Sequence, residues 1–119
     1  VMSDYNGWHG GRATWLVNLW VENDQGWAQE WDERKGEIWD KAKPVYEWET
    51  RRDAATRQLA EELKDEIEEW VAVRLGDNGL LVDLMSVALG EIDWREIAKA
   101  WLAEVKEGVD EVEVSDGEL

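Results

Sequence analysis

Residues 45–75 contain neither glycine nor proline, the longest stretch of this chain without a backbone breaker. Strands usually run about 3–10 residues, so an unbroken run of this length points to helix. Within it, Leu59, Leu63, Ile67, Trp70 and Val71 recur at intervals of 4, 4, 3 and 1, which places them in one apolar stripe. The run therefore predicts one long amphipathic helix, a rod against which the rest of a small domain must pack.

The other segments share that period. Over residues 12–23, Trp15, Leu16, Leu19 and Trp20 form a stripe entered from Gly10-Gly11 and left at Asn23-Asp24. Residues 25–42 predict a second helix with Trp27, Trp31 and Ile38 on one face, at the cost of Gly36, about 1 kcal/mol worse than Ala in a helix. Pro44 suits the first turn of the long helix, and Gly76-Asp77-Asn78-Gly79 is the clearest turn in the chain. Leu80, Leu81, Leu84, Met85, Ala88 and Leu89 then make a short, strongly apolar helix stopped by Gly90. Asp93-Trp94-Arg95-Glu96 has an acidic N-cap with Glu at the third helical position, close to a capping box. Ile97, Ala98, Trp101, Leu102 and Val105 complete the buried face of that last helix, and Gly108 ends it. The expectation is an all-α fold: a single small domain of four to five helices over residues 1–108, followed by an acidic C-terminal tail over residues 109–119. Residues 1–11 leave room for a minor β-hairpin, and the tail reads as either a frayed end or a short edge strand.

A chain of 119 residues is one domain, large enough for a core of its own. It has no cysteine, which excludes disulfides, thiolate zinc sites and a cysteine nucleophile. No apolar stretch approaches the roughly 20 residues of a membrane span. The opening Val1-Met2-Ser3-Asp4-Tyr5 lacks the basic and apolar regions of a signal peptide, so a cytoplasmic protein is expected. His9 is the sole histidine, so no metal cluster of ordinary spacing can be assembled. Asp77-Asn78-Gly79 lacks the alternating acids and closing Glu of a calcium loop. No glycine-rich phosphate loop follows a predicted strand. Neither a cofactor nor an enzymatic activity is expected.

Twenty-nine acidic side chains against 13 basic ones give a net charge of -16, which argues against direct nucleic-acid binding and against anionic membranes. The charge is uneven. Residues 34–57 hold seven of the 13 cations, whereas Glu61, Glu62, Asp65, Glu66, Glu68 and Glu69 surround Lys64 alone. A second block begins with Glu104, Glu107, Asp110 and Glu111. Like charges three and four residues apart on a helix oppose its stability by a few tenths of a kcal/mol per pair, so the pattern is not there for the helix. Carboxylates about 5–6 Å apart along a stiff helix approximate the spacing of phosphates along a nucleic-acid strand, on the order of 6–7 Å through space. Such a row could occupy a basic groove built for DNA; the plain alternative is a solvated face that keeps the protein soluble.

Ten tryptophans and no phenylalanine suggest that indole has taken over the large-aromatic role in the core. Trp15, Trp20, Trp27, Trp31, Trp70, Trp94 and Trp101 each fall on an apolar helical face and are expected inside. Trp8, Trp39 and Trp48 are less clearly placed and are candidates for exposure at an interface, where Trp is favoured.

Tyr5-Asn6-Gly7-Trp8, followed by Thr14-Trp15-Leu16-Val17-Asn18-Leu19-Trp20-Val21-Glu22-Asn23-Asp24, resembles an uncharacterised family of small acidic proteins encoded by phages, plasmids and integrated mobile elements, whose members begin YNGWxNxxTWxxxLWxxND. Residues 84–102, with Asp93-Trp94-Arg95-Glu96-Ile97-Ala98 at their centre, are similar to that family's C-terminal helix. The resemblance implies no reaction. It implies a setting in which small acidic proteins block the DNA-binding surfaces of host restriction or CRISPR complexes, and in size and charge the chain is similar to phage proteins that mimic DNA. The expected function is therefore a non-enzymatic inhibitor whose partner is a basic nucleic-acid-binding host protein, a nuclease or CRISPR effector. The alternative is an adaptor of a phage or plasmid that binds a protein through exposed Trp8, Trp39 and Trp48.

Overall fold

The computed structural model describes residues 4–105, which form five helices: α1 (Arg12–Asn23), α2 (Gln25–Lys41), α3 (Arg51–Leu75), α4 (Gly79–Gly90) and α5 (Trp94–Leu102). The all-α expectation holds. Among the described residues there is no strand, only a single antiparallel bridge between Tyr5 and Trp8, so the N-terminal hairpin reduces to a turn. The tail over 109–119, with Asp110 and Glu111, lies outside the described residues, as does Glu107. No helix among those described is long and apolar enough to cross a membrane.

Four of the five helix starts, all but that of α1 at Gly11, have a side chain that satisfies an orphan backbone N–H. Asp24 accepts from the Trp27 N–H at 2.9 Å, so α1 and α2 join through one residue. Asn78 accepts from Leu81 N–H at 3.0 Å at the head of α4. Thr50 and Asp53 close a full capping box on α3, at 3.0 Å in both directions. That box corrects the expected start of the long helix, which begins at Arg51 and not at Val45. Residues 45–49 instead turn back on themselves: the Glu49 carboxylate takes the Val45 N–H at 2.7 Å, and the Glu49 N–H donates to the Tyr46 carbonyl at 3.0 Å.

α3 is the rod, about 37 Å long at 1.5 Å per residue. Its Leu59, Leu63 and Ile67 are buried against Ile97, Ala98, Trp101 and Leu102 of α5, the most extensive helix pair. α2 adds Trp31, Ile38 and Trp39, and α1 adds Val21. The two arginines that open α3 bind the ends of the neighbouring helices. Arg51 Nε and Nη2 donate to the Trp39 carbonyl at 3.1 and 2.8 Å, at the end of α2. Arg52 Nη1 and Nη2 donate to the Leu102 and Val105 carbonyls at 2.6 and 2.8 Å, at the end of α5. Cations there answer the partial negative charge of a helix C-terminus. Both guanidinium groups also lie over the Trp39 ring, 4.7 and 4.9 Å from its centroid.

The α1 stripe is rotated from the expected one. The buried positions are Thr14, Asn18 and Val21, so Trp20 points outward at 68% exposure. Polar residues can face inward here because each is satisfied. Thr14 Oγ1 accepts the Asp93 N–H at 2.8 Å and donates to the Gly10 carbonyl at 3.2 Å. Asn18 Oδ1 accepts from Trp101 Nε1 at 2.6 Å. Trp15, half-buried, meets Tyr5 edge-on at 4.9 Å.

Candidate functional site

The acidic face of α3 divides into two rows. Glu62 and Glu66 turn toward α2, where Arg34 Nη2 and Nη1 bind them at 2.9 and 3.0 Å, and Nη1 also reaches Glu30 at 3.2 Å. The guanidinium is stacked 4.0 Å above the Trp31 ring. Partial burial works against the Arg34 cation, yet the hydrogen bonds of Glu62, Glu66 and Glu30 outweigh it and raise its pKa. These two carboxylates belong to a helix–helix clamp, which removes them from the expected partner-binding row. Lys35 holds Glu104 in the same way, at 2.9 Å, with Asp32 at 3.1 Å. Burial opposes its charge, and the bonds to Glu104 and Asp32 raise its pKa overall.

Glu61, Asp65 and Glu69 remain exposed at intervals of four residues and make no ion pair or side-chain hydrogen bond among the described residues. Glu68 flanks them, 3.6 Å from Lys64. The free row is thus narrower than six carboxylates, about 6 Å of helix rise between rungs. Five of the seven cations of the middle segment bind elsewhere: Arg34 and Lys35 in clamps, Arg51 and Arg52 on helix ends, Arg57 on Glu49, although the Arg57 charge also acts on Glu61 one turn away.

Of the three tryptophans expected at an interface, only Trp48 is well exposed, and its ring stacks parallel on exposed Tyr46 at 5.5 Å. Beneath this pair lies Glu49, its side chain almost wholly buried and bound by Arg57 Nε and Nη2 at 2.9 and 3.1 Å. Hydrogen bonds from Arg57 and from the Val45 N–H pull its carboxyl down to about 2. Trp39 is 5% exposed, a correction: the two arginines 12 and 13 residues downstream lie over its ring, and it joins the core. Trp8 is half-buried against the core.

The opposite end of α3 carries apolar surface that the sequence placed inside. Trp70 is 41% exposed, with its ring edge-on to Trp27 at 5.2 Å and Arg74 lying 4.1 Å over it. α4 has no buried residue at all. Between α1, α3 and α4 runs a groove of about 600 Å³ lined by Leu16, Trp20, Trp27, Trp70, Met85 and Leu89, among others.

The two segments that carry the family resemblance meet each other. Besides the Thr14 and Asn18 bonds, Glu96 Oε2 and Oε1 accept the backbone N–H groups of His9 and Gly10, both at 2.7 Å. Asp93 caps Glu96 N–H at 3.0 Å as the sequence suggests. The box is not closed, because the Glu96 side chain captures the N-terminal loop and the Asp93 N–H goes to Thr14. Gly10 is obligatory: a Cβ there would collide with Thr14 Oγ1 and sit 2.7 Å from Asp93 Cβ. His9 is exposed, its Nδ1 2.9 Å from Asp4 Oδ1, and that hydrogen bond raises its pKa.

No family model matches the chain, and no curated protein or solved structure does either.

Proposed function

We propose that the protein is a non-catalytic acidic inhibitor, made by a mobile element and acting in the host cytoplasm, that occupies the basic DNA-binding surface of a nuclease or CRISPR effector. The observation that carries this reading is the row Glu61, Asp65 and Glu69, evenly spaced on a 25-residue helix, exposed, and without an ion pair among the described residues, while Arg34 and Arg57 bind other carboxylates. A fixed row of this kind presents its charge without a reorganisation cost on binding, and a net charge of -16 steers it toward a basic partner. Glu62, Glu66 and Glu104 contribute through the total field, since their carboxylates are held by Arg34 and Lys35.

The test is displacement of labelled duplex DNA from a panel of restriction nucleases and CRISPR effectors. The wild-type chain is expected to displace DNA at about 50 mM salt and to lose this ability near 500 mM, as the screening length shrinks from about 14 to 4 Å. Glu61→Lys, Asp65→Lys and Glu69→Lys together should abolish displacement with helicity unchanged. Equal displacement by the triple variant would sink the reading.

A second reading, an adaptor that docks through aromatic surface, is favoured by the solvent-facing Tyr46–Trp48 stack. Its binding would be nearly independent of salt and would be lost on Trp48→Ala.

A further inference from the structure

α4 has apolar residues on every side: in Gly79–Gly90 only Asp83 is charged and only Ser86 is otherwise polar. A helix of that composition normally lies inside a protein, yet here Leu80 (69%), Leu84 (56%) and Val87 (64%) form an outer stripe at i, i+4 and i+7 that is open to solvent. Its inner side, through Met85, Ala88 and Leu89, closes the groove toward α1 and α3 and is itself only partly covered.

We infer that this face is the contact between two copies of the chain, α4 packing on its symmetry mate through Leu80, Leu84 and Val87, with Trp20 and Val73 at the margin. Three observations favour a second copy over another occupant. The first is area. Leu80, Leu81, Leu84 and Val87 are 69, 43, 56 and 64% exposed, an apolar surface on the order of a few hundred Å² on one helix, the size at which an exposed patch marks an interaction site. The second is charge. Two chains of net charge -16 repel wherever carboxylates meet, and α4, whose sole charge is the exposed Asp83 beside the stripe, is a surface on which that cost is small. A basic partner would find almost no charge to read there. The third is symmetry: an isologous contact needs only a patch complementary to itself, which an apolar stripe satisfies. Residues 106–119 are a poor occupant, since they carry Glu107, Asp110, Glu111, Glu113, Asp116 and Glu118.

Sedimentation velocity of the full chain tests this, at about 300 mM NaCl to screen the repulsion and from about 1 to 200 µM. A species of twice 13.8 kDa that dissociates on dilution is expected. Leu84→Glu and, separately, Val87→Lys should each raise the dissociation constant about 100-fold. Circular dichroism should be unchanged, because both side chains are exposed in a single copy. Val87→Cys, the sole cysteine in such a chain, should form a covalent dimer on oxidation, whereas Asp40→Cys on the exposed side of α2 should not. A 13.8 kDa species at every concentration, or a dimer indifferent to both charge substitutions, overturns the inference.

Discussion

The two ends of α3 are built on different terms. At its N-terminal end almost every polar group is answered: Arg51 and Arg52 close the ends of α2 and α5, Glu49 is bound by Arg57, and Thr50 and Asp53 cap each other. At its C-terminal end the surface is apolar and few side chains bond one another, as α4 shows. Charged residues on one helix thus do opposite work. Where they meet a counter-ion, as Glu62 and Glu66 do, they fasten the domain; on the next row of the same helix Glu61, Asp65 and Glu69 stand free for something outside it. A face stripped of charge, like α4, is the complement of both.

That contrast breaks most visibly under large-to-small substitution. Leu63→Ala, fully buried between α3 and α5, should cost about 2–5 kcal/mol in chemical denaturation, whereas Leu84→Ala should change the stability of a single copy by under about 0.5 kcal/mol. If both cost the same, α4 is no less structural than the core. The next largest effect belongs to the joint between the N-terminal loop and α5. Gly10→Ala should cost about 1–3 kcal/mol, read as a fall in the urea midpoint, because the added methyl meets Thr14 and Asp93.

The smallest effect is a dependence on acid. Glu49, held at about 2 when folded against an ordinary 4.5, contributes stability above pH 4.5 and loses it as the pH falls toward 2. Asp53, lowered by its hydrogen bonds to Thr50, acts in the same direction. The informative measurement is the difference between wild type and a variant that lacks the Glu49 carboxylate. Between pH 5 and 2 the melting temperature of wild type should fall more steeply than that of Glu49→Gln.

The helical periodicity of the chain was a sound guide to the elements, and the bounds of α1 and the turn before α4 are where glycines and Asx residues put them. What it misjudged has a physical pattern. The stripe of Trp15, Leu16, Leu19 and Trp20 is not the buried face of α1; Thr14 and Asn18 are buried instead, because Asp93 and Trp101, some 80 residues away, supply their partners. Trp39 falls on no clear apolar stripe and reads as a candidate for exposure, yet Arg51 and Arg52 of the next helix cover it. The late start of α3 was readable in Thr50-Arg51-Arg52-Asp53, a capping pattern that outweighs the absence of breakers before it. The acidic row was legible as composition, but which carboxylates stay free depends on Arg34, a residue of another helix.

The grip of Glu96 on the His9 and Gly10 amides implies an order of events during synthesis. α1 emerges from the ribosome early, with two polar groups aimed at an interior that does not yet exist. Only when the segment around Asp93 follows can Thr14 and Asn18 be satisfied, so the chain should gain its native packing late and in one cooperative step, not helix by helix.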